Sequence, residues 1–379
     1  MNKKLMAVAV AGALAAPAGA LAQTTIYGVF NVEYGFASQP NAGAVPGTAR
    51  HDAEAWNSGA SRFGLRGEEK MGGGLAAFYQ CESDVRFLGG VITQTSGSIC
   101  DRNSAIGLRG GFGSVYFGTW DTPLKRVSGI VRITDETGWT GSQHVTLSPK
   151  TTGMRNFSNR PTATVNYDTP NLGGFSGSLQ FTALNSTRDA AATAVAEGRN
   201  ISLSGQYMAG PLAVVAGYEK GDENCAVSAT NCAASAGSTV NDEATGWLLG
   251  ASYVFGPLKV GFTYTNLEVK LAGVTTERPA WNLAGEWMMG GPHSLRVGYA
   301  QADDFEINGA TSASSGAKQY QVRYNYAFSK RTAGYAAYVK VDNDTNGTFN
   351  LTGLTAGSIG AVTPGDSADV IAFGLSHSF

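Results

Sequence analysis

The sequence predicts an all-β fold: a transmembrane, antiparallel β-barrel of 16 strands with a long third loop folded into its lumen. Three observations carry that expectation. Apolar and polar residues alternate strictly along many segments. Tight turns and long polar stretches take turns between those segments. Glycine supplies 51 of 379 residues, while only 15% are charged and 10% aromatic, a composition far richer in glycine than the usual domain and unlike a disordered chain. The formal charge of −2 gives no basic footprint for nucleic acid. Four Cys and four His, scattered along the chain, cannot build a Cys-rich metal scaffold.

Residues 1–22 are read as a signal peptide. Lys3 and Lys4 make a basic start, Leu5–Ala16 is a short apolar stretch, and Ala20-Leu21-Ala22 is a small-x-small cleavage site. The apolar stretch is too short for a helical span, which needs about 20 residues. Without Lys3 and Lys4 the remaining 25 basic residues face 29 acidic ones, a mature charge of −4. Residues 23–379 are then one barrel.

Alternation defines the strands. In Tyr320–Phe328 one face carries Tyr320, Val322, Tyr324, Tyr326 and Phe328, the other Gln321, Arg323, Asn325 and Ala327. Leu295–Tyr299, Trp247–Tyr253 and Ile201–Tyr207 repeat the scheme, as expected of strands with one apolar and one polar face. Alternation alone also suits a soluble sandwich; the punctuation decides. Short turn signals stand at Gly72-Gly73-Gly74, Gly110–Gly113, Asn171–Gly174, Gly210-Pro211, Gly256-Pro257, Gly290–Pro292 and Ser329–Arg331. Long polar stretches such as 38–58, 221–242, 304–317 and 343–366 lie between them. Seven short turns and eight long loops make fifteen connections and sixteen strands, with loop lengths segregated as in an outer-membrane barrel.

One hairpin is about 20 residues longer than its neighbours, and a long structureless insert is usually functional or mobile. Its extra length is 121–160. In a barrel wide enough to hold water it can fold inward and narrow the lumen. At the other end of the chain, Ile371, Phe373, Leu375 and Phe379 share a face broken only by His377, with Ala372, Gly374, Ser376 and Ser378 opposite. This reads as the lipid-facing final strand that closes the barrel and removes the exposed edge.

These residues resemble the general porins of the Gram-negative outer membrane, of the trimeric 16-stranded type. The resemblance covers essentially all of the mature chain. It is carried by Thr25–Phe30, Ser61–Gly67, Gly110–Gly118, Trp120-Asp121-Thr122-Pro123 and the terminal Phe379, in that order and spacing. It implies a passive diffusion channel for ions and small hydrophilic solutes, a third loop folded into the pore, a homotrimer, and contact with outer-membrane lipid and lipopolysaccharide. It also implies that Phe379 is the signal read by the assembly machinery. No cofactor, metal or nucleic-acid partner is expected.

A pore discriminates at its narrowest section. If Phe63 and Leu65 face lipid, then Arg62, Arg66 and Glu68 face the lumen, and parity turns Arg109 inward as well. Arg296, Arg323 and Lys340 are expected to face water inside. The insert contributes Asp135 and Glu136. The family sets acidic loop residues against a basic wall, a field that low-dielectric surroundings focus; Arg62, Arg66, Arg109, Asp135 and Glu136 are therefore the candidate constriction. Insert residues Lys125, Arg126, Arg132, Lys150, Arg155 and Arg160 outweigh Asp121, Asp135 and Glu136 by three charges, which favours mild anion selectivity.

Cys81 and Cys100 flank the loop 82–99, and Cys225 and Cys232 share another long loop. Export to an oxidising compartment favours two local disulfides; free thiols are the alternative, and Cys81 shares parity with Leu75, Ala77 and Tyr79. An enzyme is not expected: His51, His144, His293 and His377 adjoin no nucleophile motif, and Gly110–Gly113 has neither the helix nor the Lys of a phosphate loop. Two rivals remain. One is a substrate-specific channel for a sugar or small organic anion, although Trp281, Trp287, Tyr324 and Tyr326 have lipid-facing parity and few aromatics, such as Tyr338, point inward. The other is a non-conducting structural or adhesive barrel.

Overall fold

Hydrocarbon offers no partner to an amide, so a spanning strand must be paired on both sides. The computed structural model describes residues 24–38, 52–59, 61–85, 99–134, 139, 141–148, 157–183, 199–222, 243–271, 273–351 and 363–379. Its strands are β1 (Thr25–Ser38), β2 (Asp52–Asn57), β3 (Arg62–Gly72), β4 (Leu75–Asp84), β5 (Ser104–Gly110), β6 (Gly113–Thr119) and β7 (Thr164–Asp168). They continue with β8 (Phe175–Ala183), β9 (Arg199–Ala209), β10 (Leu212–Asp222), β11 (Glu243–Phe255), β12 (Leu258–Leu271) and β13 (Val274–Gly290). The last are β14 (His293–Ala302), β15 (Glu306–Ile307), β16 (Ala310–Thr311), β17 (Ala317–Ala327), β18 (Thr332–Asn343) and β19 (Ala368–Ser378).

β2 and β3 both pair with β1 and form one stave interrupted between Asn57 and Arg62. β15 and β16 are a two-residue hairpin leaning on β13. The rest pair in chain order, and β1 closes on β19 from Val29↔Ser378 to Ser38↔Asp369. The result is a closed ring of sixteen antiparallel staves, and closure leaves no edge to satisfy.

The ladder sorts side chains by face. Ile106, Phe117, Leu249, Phe262, Leu283, Val297, Ile371, Phe373 and Leu375 stand out from the ring as exposed apolar groups. Their neighbours in sequence point the other way and are mostly polar or small, with apolar exceptions such as Leu248 and Val370. No helix is long and apolar enough to cross a membrane among the described residues; the strands cross it, and most of them reach or exceed the roughly 9–11 residues a tilted strand requires.

All seven glycine- and polar-rich turns fall between paired strands. At the first, Gly73 (φ 60°) and Gly74 (φ 77°) adopt left-handed backbone that a side chain would strain. An eighth tight connection departs from expectation. β12 and β13 pair from Leu258↔Trp287 to Leu271↔Val274, so only residues 272 and 273 join them where a long loop was expected. Glu268, Lys270, Thr275 and Glu277 stay in the ladder, because strands of 14 and 17 residues outrun the membrane and pair on in water.

Parity needs correction at β18. Tyr338 and Lys340 were expected inside, but Tyr338 pairs with Val322 and Ile371, both outward, and is 42% exposed. Lys340 shares its face, near Asp342 at 3.5 Å. The inward residues are Tyr335, Ala337, Val339 and Val341, all buried.

Candidate functional site

The insert leaves β6 through a clasp. Trp120 N–H donates to the Pro161 carbonyl and Thr122 N–H to that of Asn159, each at 3.3 Å. Asp121 accepts from Lys125 Nζ at 2.7 Å and from Asn103 Nδ2 at 3.0 Å, and pairs with Arg160 Nε at 3.0 Å. Burial alone would push the Asp121 carboxyl up; the Lys125 ammonium and the Arg160 guanidinium overcome it and hold it below the usual carboxylate range. Both roots of the insert are thus tied to one carboxylate.

Beyond the clasp the chain forms α1 (Pro123–Val131). Thr122 caps it, its hydroxyl accepting from Lys125 N–H, and Pro123 occupies the first turn where its missing N–H costs nothing. Leu124, Val127 and Val131 fall on one buried face at helical spacing. They meet Ala213, Val215, Leu248 and Leu267, which are inward-facing on β10, β11 and β12. An apolar patch on an otherwise polar wall is explained by this contact. Arg126 points away to Asp168 at the end of β7, in a bidentate pair at 2.9 and 3.0 Å that Tyr116 Oη also joins. Burial would lower the Arg126 pKa; Asp168 reverses that and raises it. The sequence treats this insert as structureless, although Thr122-Pro123 is a helix-start signal.

Further along, Thr134 approaches Gly298 on β14, and Trp139 is wholly buried over Gly35 of β1. Trp139 N–H donates to Glu33 Oε2 at 3.3 Å, while Glu33 Oε1 accepts from Tyr335 Oη at 2.7 Å. Arg323 stacks on the Tyr335 ring, 3.6 Å from its centroid. The returning limb carries α2 (Gln143–Thr146), where the Gly141 carbonyl accepts from Gln319 and that of Thr146 from Thr265. Phe349 and Leu351 join Trp139 and Val145 over the inward alanines and valines of β13–β19.

Further charged groups line the wall of β1 and β3–β7. Arg62 approaches Glu82 at 3.6 Å. Arg102 binds Glu82 at 2.8 Å and Asp84 at 2.7 Å, pairs that raise its pKa against the lowering effect of burial. Arg66 lies over the Tyr27 ring at 5.0 Å and has no ion pair among the described residues. Arg109 pairs with Glu68 at 3.1 Å and covers the Phe78 ring at 4.2 Å. Arg66 and Arg109 line one cavity of about 470 Å³ with Glu68, Phe78, Tyr116 and Asp168; Arg62 lies apart, nearer the long-loop end. Asp135 and Glu136 lie outside the described residues, as do Lys150, Arg155, Cys225 and Cys232. Cys81 and Cys100 are joined by a disulfide, with Cys81 on the outward face opposite Leu65. Glu33, Glu82, Arg102 and Asp168 escaped the sequence reading. An acid at inward parity within Phe30–Tyr34 was the only available signal for Glu33.

Apolar groups wrap the outside of a closed ring, while charged and polar groups line its bore; this is a transmembrane barrel of the aqueous-channel class. The chain belongs to the Gram-negative porin family, whose model matches residues 7–346. It is 28% identical over 393 residues to outer membrane porin protein 32 of Delftia acidovorans, covering 100% of both chains. Its fold is similar to that of the anion-selective porin from Comamonas acidovorans, with TM-score 0.77, 24% identity and coverage of 95% of this chain and 100% of that one. It is also similar to the trimer form of OmpT from Vibrio cholerae, with TM-score 0.66, 18% identity and coverage of 94% and 99%. The protein is a porin: a passive channel of the outer membrane.

Proposed function

We propose that this porin passes ions and small hydrophilic solutes through a constriction formed by the insert 121–160 and the wall bearing Arg62, Arg66 and Arg109, with a mild preference for anions. The observation that supports it best is the way the insert lies along the inner wall, its apolar face seated on β10–β12 and Arg126 reaching Asp168 and Tyr116 of β7 and β6. Arg66, unmatched by a carboxylate among the described residues, tips the bore toward anions, as does the likeness to an anion-selective porin. Asp135 and Glu136 complete the constriction in this reading. Phe379 serves as the assembly signal, residues 1–22 are removed on export, and three copies form a trimer embedded in outer-membrane lipid and lipopolysaccharide, a state also recorded for OmpT.

Reconstitution in a planar bilayer under a salt gradient tests these points together. The expected record is steady conductance, closure in three equal steps and a reversal potential of modest anionic sign. A potential near the ideal cationic limit would overturn the selectivity, and a silent membrane would favour the structural or adhesive barrel. Exchanging Asp135 and Glu136 for Lys is expected to move the potential further toward anions; an unmoved potential removes both residues from the constriction.

A further inference from the structure

Glycine weakens a strand, since it loses the most entropy on folding and brings no side chain to pack. Yet the inward face of the barrel keeps Gly217 on β10, Gly246 and Gly250 on β11, Gly261 on β12, Gly298 on β14 and Gly35 on β1, all buried. Each lies directly beneath the insert. A Cβ built on Gly261 would stand 2.0 Å from the Val131 carbonyl oxygen, a backbone atom of α1 that cannot rotate away. On Gly217 it would meet Leu124 Cα and Val127 Cγ2 at 3.1 Å; on Gly250, Val131 Cγ2 at 2.7 Å. On Gly246 its three nearest atoms would all belong to the Phe157 ring, from 2.7 Å, and on Gly298 it would meet Gln321 Nε2 of β17 at 2.5 Å and Thr134 Cγ2 at 2.7 Å. On Gly35 it would meet the Trp139 ring. Among lipid-facing glycines, Gly205 has nothing within 4 Å and Gly285 nothing nearer than 3.6 Å, while Gly28 and Gly67 lie under the rings of Phe379 and Tyr79. Those rings belong to the barrel itself; the inward six are set apart because each would meet atoms of the insert.

We propose that these inward glycines are spacers that set how closely the insert lies against the wall, and so how much of the bore stays open. The proposal rests on the reading that the insert narrows the passage. The insert is held at its roots by Asp121 with Lys125 and Arg160, and at its far end by Glu33 with Trp139. Because interiors are close-packed, bulk added beneath a segment pinned at both ends has one direction in which to push it, toward the channel axis. At Gly261 the backbones must part by about 1.4 Å to restore an ordinary contact. The glycines are thus positioning residues for the constriction although none carries charge or faces the solute.

Single-channel conductance of the full-length protein tests this. Gly261→Ala and Gly246→Ala are expected to lower conductance and the size of neutral solute admitted. Gly246→Ala combined with Phe157→Ala is expected to return toward the wild-type value, because the removed ring supplies the three nearest atoms that the new methyl would meet. Gly205→Ala, on the lipid face, is expected to conduct as wild type. Wild-type conductance in folded Gly261→Ala, or increased conductance showing that the insert has left its seat, overturns the proposal. Should Gly261→Ala not fold, Gly246→Ala and its rescue decide alone: a normal single variant, or no rescue, counts against it. Excising residues 123–131 tests the underlying reading separately. Unchanged conductance there removes the constriction itself, whereas increased conductance beside a normal Gly261→Ala removes only the spacers.

Discussion

Asp121 shows how one residue can govern a forty-residue segment. Its carboxylate takes Lys125 four residues ahead and Arg160 from the far root of the insert, with Asn103 of the neighbouring connection as third partner. The group is largely buried, so its loss leaves two cations short of a partner, and a buried pair broken from one side costs more than the pair is worth intact. Asp121→Asn is expected to destabilise the clasp by about 1–3 kcal/mol, seen as noisier open-channel current and faster protease cleavage within 121–160. The same bond has a pH signature. A carboxyl held below its unfolded pKa contributes stability above that pKa, near 4, and loses it as pH falls through the folded value. Open-channel noise is therefore expected to be flat from about pH 5 to 8 and to rise below about pH 4; a flat record down to pH 3 would count against the clasp.

Elements divide by how local their causes are. Turns were legible because each needs left-handed or tightly bent backbone that few residues besides glycine supply, and all seven expected turns stand between paired strands. The long strands at β12 and β13 were not, since nothing in Lys270 or Thr275 says whether a polar residue leaves the ladder or stays in it. Nor was the face of β18: Tyr335 and Tyr338 lie three apart and must point oppositely, and only the pairing with β19 decides which turns inward. The grip on Trp139 was out of reach for another reason, because its acceptor Glu33 is 106 residues away. The candidate site was legible to the same degree. Parity found Arg62, Arg66 and Arg109, but their carboxylate partners depend on register and on loops. The closing stave allows a test of its own. Phe379 exchanges backbone hydrogen bonds with Gly28 at 3.1 and 3.2 Å, and its ring covers that glycine and meets Phe30 at 4.9 Å. Phe379→Ala keeps the backbone bonds and loses the ring, an expected cost of about 1–2 kcal/mol. Gly28→Ala, which would force the ring aside, is expected to act in the same direction. Both are read from the temperature at which the folded barrel loses its anomalous gel mobility, and unchanged values for both would deny the ring a part in closure.

For the whole molecule the decisive quantity is unpaired charge. Counting residues gives the insert three excess cations, yet Lys125 and Arg160 are spent on Asp121, and Arg126 is matched by Asp168, an acid outside the insert. On the barrel wall Arg102, Arg109 and Arg62 also face carboxylates. A solute in the bore therefore meets mostly paired charges, whose fields fall off quickly, together with the one positive charge in excess where Lys125 and Arg160 share Asp121 and few single charges such as Arg66. A field from a few water-exposed charges is open to screening, with a Debye length of about 10 Å at 0.1 M salt and about 3 Å at 1 M. A bore several ångströms across is spanned by the first length but not by the second. The anion preference is accordingly expected to be clear at a mean salt concentration near 0.1 M and to fade toward zero near 1 M. Arg66→Gln is expected to remove a substantial share of it at low salt while leaving conductance at high salt nearly unchanged. Selectivity that persisted at 1 M would require a desolvated site that strips water from the ion, and would move the discriminating step from the field of the wall to direct contact.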